Sequence, residues 1–120
     1  MLSSKEVTAY IASAPEAQRG SLRKLRTMIR RHLPGTHEEM GASGFAVYVI
    51  DGNWVAGFAT RKKGPMFYLM ITAVLDEYAE RLGRLRSGKS CVAWKDSTHL
   101  PLPELEKLAN EMLEAAARRV

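Results

Sequence analysis

The chain reads as an α+β protein, a two-layer sandwich in which helices pack on an antiparallel meander sheet in the order ααβββαβα. Three observations predict this class. Apolar residues recur at intervals of three and four near both ends. The middle of the chain switches to β-rich runs with a period of two. The turns between those runs are too short for anything but antiparallel neighbours.

The first helix opens on Ser3, with Glu6 in the capping-box position, and Val7, Tyr10 and Ile11 follow at helical spacing until Ala14-Pro15 ends it. The second runs from Glu16 to about Leu33 and stops at Pro34-Gly35, with Leu22, Leu25, Ile29 and Leu33 on its buried side. Thr36 to Met40, polar and acidic, is read as one further turn. Phe45 to Ile50 and Trp54 to Thr60 are strands joined by Asp51-Gly52, which favours a tight type I′ turn. Arg61 to Pro65 is a second turn, and Met66 to Thr72 a third strand. A helix over Leu75 to Leu85 and a short strand over Ser90 to Trp94 follow. Pro103 suits the first turn of a last helix, buried through Leu105, Leu108, Ala109, Met112 and Ala116, with Arg118 and Arg119 at the negative end of its dipole.

At 120 residues the expectation is one domain over 1–120, with a core large enough to need no disulfide or structural metal. Cys91 is the only cysteine, so no intramolecular disulfide forms and a reducing compartment fits best. The start lacks the apolar stretch of a signal peptide, and the longest apolar run, Met66 to Leu75, is too short to span a bilayer. A cytoplasmic protein without a membrane partner is expected.

Gly83 to Ser90 has the phosphate-loop spacing G-x-x-x-x-G-K-S. A working loop of that kind follows a strand and opens a helix. Here a helical pattern precedes it and a β-prone run follows, so no nucleotide is expected. No Ser-His-Asp set is visible, and His32, His37 and His99 are scattered, so no catalytic residue is assigned.

Several motifs together resemble the YdhG-like domain family. They are V-x-x-Y-I-x-x-x-P (Val7 to Pro15) and the helix L-x-x-L-R-x-x-I-R-R-x-L-P (Leu22 to Pro34). The pair Glu38-Glu39 then precedes a Gly-rich entry to the hairpin, which Ala59-Thr60-Arg61-Lys62-Lys63 closes. Gly88 to Trp94 leads into Leu100-Pro101-Leu102-Pro103. The resemblance spans nearly the whole chain. It implies an α+β fold with antiparallel strands and, for some members, a frataxin-like role as an intracellular iron chaperone, with Glu38 and Glu39 matching the family's acidic pair.

Three sites are therefore carried forward. Alternation along the strands makes both sheet faces apolar; one covers the helices, and the second must meet a helix, a second subunit or a ligand, because large open apolar patches are rare. That face is expected to form a pocket or interface lined by Tyr48, Met66, Tyr68 and Met70, in a non-enzymatic binding module. The alternative is iron held by His37, Glu38 and Glu39, the one cofactor considered; Asp76, Glu77 and Glu80 form a second acidic cluster. The third candidate is a site for weak anion or nucleic-acid binding. Net charge is +5, and Arg19 to Arg31 contains six basic residues and no acidic one. Arg19, Arg23, Arg26 and Arg30 share a sector of about 60°. Their expected role is to flank the core and pair with acids such as Glu104 or Glu111, so nucleic acid is not expected as a tight partner at physiological salt. The turn Arg61-Lys62-Lys63, near Trp54, Phe58, Phe67 and Tyr68, also mixes bases with aromatics, and is read as a solvated turn.

Overall fold

The first helix is capped one residue later than the capping-box pattern predicts. α1 (Lys5–Ala12) starts at Ser4, whose Oγ accepts from the Val7 N–H at 3.3 Å. The Ser4 N–H donates to Glu38 Oε1 at 2.9 Å, so a distant carboxylate does what the pattern assigns to Glu6. The structure, a computed structural model, describes residues 4–42, 44–62, 64–94 and 102–120. α2 (Glu16–His32) buries Leu22, Leu25, Met28 and Ile29, and Leu33 follows them into the core.

Next come β1 (His37–Met40), β2 (Ala46–Ile50), β3 (Asn53–Arg61) and β4 (Gly64–Leu69). With β5 (Cys91–Ala93) they form one sheet in chain order, each strand antiparallel to the next. The meander is as expected, with one strand more. His37 to Met40 is an edge strand rather than a turn, because pairing with β2 satisfies its backbone and lets Glu38 point inward while His37 and Glu39 point out. The Asp51-Gly52 turn has positive φ at both residues, 50° and 78°, the requirement of type I′.

The predicted third strand ends early: Thr72 already opens α3 (Thr72–Glu77). The predicted helix over Leu75 to Leu85 is broken into α3, α4 (Ala79–Leu82) and a 3-10 turn, Gly83–Leu85. Gly83 ends α4 at φ +51°, a conformation that costs a glycine little. α5 (Leu102–Ala117) buries Leu105, Leu108, Ala109, Met112 and Ala116, the stripe read from its spacing.

α1, α2 and α5 lie on one side of the sheet, α2 crossing β3 and β4 and packing on α5. Register sorts the strand residues between the two sides. The rows Met40-Ala46-Phe58-Phe67-Val92 and Glu38-Tyr48-Ala56-Leu69 face the helices. Their apolar members join α1 to α5 in one cluster of buried side chains. The row Glu39-Val47-Gly57-Tyr68-Cys91 and its neighbours Ala59, Met66 and Ala93 lie on the other side. No described helix covers that side.

Candidate functional site on the uncovered sheet face

Gly57, in the middle of β3, makes the site possible. A Cβ there would stand 2.5 Å from the Ala46 carbonyl oxygen and 3.1 Å from Trp54 Nε1. Its absence leaves room for the Trp54 indole, whose Nε1 donates to the Ala56 carbonyl at 2.7 Å. An irregularity in register between Tyr48 and Val49 brings Trp54 opposite Val49. Phe45 lies 4.9 Å from Trp54 and stacks on Tyr68 at 5.1 Å with 25° between planes; Trp54 and Tyr68 are 6.2 Å apart. Such pairs contribute about 0.5–1.5 kcal/mol each beyond area burial. The Arg61 guanidinium sits 5.5 Å from the Phe45 centroid and donates to Tyr68 Oη at 3.3 Å. All three aromatic residues are half-buried, and Arg61 is exposed. The result is a fixed aromatic platform edged by a cation.

Of the four residues expected on this face, Met66 and Tyr68 are there. Met70 follows the end of β4, half-buried, its N–H donating to the Val55 carbonyl at 2.9 Å. Tyr48 is on the other side, fully buried against the helices. The correction is one of register: alternation separates two sets on each strand, but only the pairing Tyr48-Ala56-Leu69 shows which sets share a face. The same pairing divides the aromatics near the basic turn. Trp54 and Tyr68 face outward, while Phe58 and Phe67 are buried among the helices. Lys63 lies outside the described residues. Sequence reasoning did not select Phe45 or Gly57; a glycine inside an apolar strand was the available signal.

The acidic pair is split between the faces. Glu38 is buried, accepting from Arg26 Nε at 2.9 Å, Arg26 Nη2 at 2.6 Å, the Tyr48 hydroxyl and the Ser4 N–H. Burial alone would raise the Glu38 carboxyl, but the hydrogen bonds from Arg26, Tyr48 and Ser4 hold it below the usual carboxylate range. Burial first, and then the bond to Glu38, push the Tyr48 phenol far up. The two carboxylate oxygens of Glu38 are thus engaged by four donors. His37 and Glu39 stand on the opposite side of β1, exposed, with Nε2 and Oε2 3.5 Å apart. Elsewhere, Asp76 pairs with Arg86 at 2.8 Å, Glu77 pairs with Arg119 at 2.7 Å, and Glu80 is exposed. Among the described residues no three His, Cys, Asp or Glu side chains converge as a metal site would require.

The Gly83 to Ser90 loop joins a 3-10 turn to a strand, the reverse of a phosphate loop. It closes on Arg86, whose guanidinium donates to the carbonyls of Gly88 and Lys89 and to Asp76. Carbonyl oxygens converging on a cation give the opposite polarity from a phosphate cradle. Burial pushes the Cys91 thiol up, away from reactivity. His32 Nε2 lies 2.9 Å from Asn110 Oδ1, and His99 is outside the described residues.

Arg19, Arg23, Arg26 and Arg30 do share a side of α2, but their partners differ. Arg19 donates to the Ala14 carbonyl at 2.8 Å and Arg26 is held by Glu38. The expected partner Glu111 is taken by Arg81, at 3.0 Å, and Glu106 by Lys24, at 2.5 Å.

No protein-family model matches the chain, and no curated protein matches it significantly. Among solved structures, it is similar to the crystal structure of YdhG, a Bacillus subtilis protein of the DUF1801 family. The TM-score is 0.66 at 16% identity, over 88% of this chain and 87% of that one. At that identity the likeness is one of fold, and it agrees with the resemblance carried by the motifs.

Proposed function

We propose, from a fold shared with YdhG and a sheet covered on one face, that the protein is a non-enzymatic binding module of the YdhG-like type. Its partner docks on the uncovered face. The observation that carries this reading is the Phe45-Trp54-Tyr68 platform with Arg61 at its edge. Half-buried aromatic faces beside a cation suit a planar, apolar ligand that carries an acidic group. The iron-chaperone alternative draws less support, because Glu38 already has four donors on its carboxylate.

The aromatic anion 8-anilinonaphthalene-1-sulfonate tests the reading. One saturable dye site per chain is expected, lost in Tyr68→Ser and weakened in Arg61→Ala, with the melting temperature of Arg61→Ala unchanged. Dye binding indifferent to both substitutions, or no saturable binding by the folded protein, would refute it.

A further inference from the structure

α2 carries more positive charge than its fold uses. Arg19 and Arg26 are committed to local partners. Arg23, Arg30 and Arg31 have no carboxylate within 4.0 Å among the described residues. Of the two acids that the α2 stripe was expected to meet, Glu111 pairs with Arg81 and Glu104 makes no ion pair among the described residues; Glu106 pairs with Lys24 of α2 itself. The helix dipole accounts for cations in the last turn, where Arg30 and Arg31 lie. It does not account for Arg23, about two turns earlier.

These cations form a ridge between two grooves. Arg23 and Thr27 line both. The groove against α1, about 350 Å³, is shared with Thr8 and Arg30; the groove against α5, about 290 Å³, with Arg31, Asn110 and Glu106, whose carboxylate is paired with Lys24. Guanidinium groups are strong donors to phosphate oxygens; the Thr8 and Thr27 hydroxyls already donate to the Ser4 and Arg23 carbonyls, so the arginines are the donors the ridge has to offer. The apolar residues beneath, Ile11 and Met28, are buried, so the ridge offers nothing to insert into a bilayer. Charge without apolar anchors favours a polyphosphate chain over a lipid surface.

We infer that this ridge binds the phosphate backbone of nucleic acid, with Arg23, Arg30 and Arg31 as the contacts and no reading of base sequence. Three contacts make the binding weak near physiological salt, as expected from the sequence, and measurable below it. For a duplex, three neutralised phosphates give a log–log salt slope of about −2.7, an affinity loss of about 20-fold between 50 and 150 mM salt.

Fluorescence anisotropy with labelled duplex and single-stranded 20-mers of two unrelated sequences reads this directly. Wild-type protein is expected to bind both sequences equally, with that slope for the duplex and one of about −2.1 for the single strand. Arg23→Ala/Arg30→Ala/Arg31→Ala should lose binding, while the triple Arg→Lys variant keeps most of it. Lys62→Ala/Arg84→Ala/Arg118→Ala removes the same charge elsewhere and should bind as wild type. The inference fails if wild-type protein does not bind at 50 mM salt, or if the two neutralised variants lose affinity equally. It also fails if phosphatidylserine vesicles are bound and oligonucleotides are not.

Discussion

Glu38 shows how a residue can look like a ligand in sequence and act as an anchor in the fold. Its carboxylate joins the start of α1, the middle of α2 and the sheet through Ser4, Arg26 and Tyr48. Its side chain has no solvent exposure and that of Arg26 only 14%, so removing one partner strands the other in a poorly solvated site. Glu38→Gln is expected to cost about 3 kcal/mol at pH 7, the low end for breaking a buried pair. Because the native carboxyl is held below its unfolded value, its contribution is present above the unfolded pKa of about 4.3 and is lost as pH falls through the native one. Melting temperatures of wild type and Glu38→Gln should therefore differ most above about pH 5 and converge in acid. A gap that stayed constant down to pH 3 would show that the network does not titrate. Nothing local marked this role: the acidic pair was visible, but the Arg26 that claims one half of it lies in another element.

At the scale of elements, β3 holds both the core and the open face, and Gly57 is where they meet. Gly57→Ala would drive a methyl into the Ala46 carbonyl and the Trp54 indole. The expected cost is about 1–3 kcal/mol, as for other overpacked sites, with the Trp54 indole displaced from the sheet. Chemical denaturation and Trp54 emission in a Trp94→Phe background measure the two effects together. Unchanged stability and unchanged emission would mean that the close approach is not real. Local patterns set most element boundaries well: the Pro34-Gly35 stop, the Asp51-Gly52 turn and the stripe of α5 all act within a few residues. They failed where partners decide. β1 is a strand because β2 lies beside it, and the predicted third helix breaks at Tyr78 and Gly83 to follow the core.

For the molecule as a whole, one continuous cluster of buried side chains ties all five helices to one side of the sheet. Trp94 is fully buried, whereas Trp54 is half-buried on the uncovered side. If the layers fold as a unit, Trp54→Phe and Trp94→Phe, each reporting one indole, should give coincident optical and circular-dichroism transitions in urea, with m of about 1–3 kcal/mol/M. An early transition seen only through Trp54 would instead mean that the open face loosens first. None of the described helices is long and apolar enough to cross a membrane.

The fold class was legible because its signals are local. Helical spacing, period-two runs and turn residues act over a handful of positions, and they yielded the helices, the meander and the apolar character of both sheet faces. The site was legible only in outline. Met66 and Tyr68 lie on the face expected of them, Tyr48 lies on the opposite one, and Phe45 and Gly57 were not selected. The same limit applied to charge: one sequence stripe holds an arginine locked to Glu38 and others with no carboxylate beside them among the described residues. Register and ion pairing join residues far apart in the chain. The energy that selects them comes from packing one element on another, and a single strand or helix does not contain it.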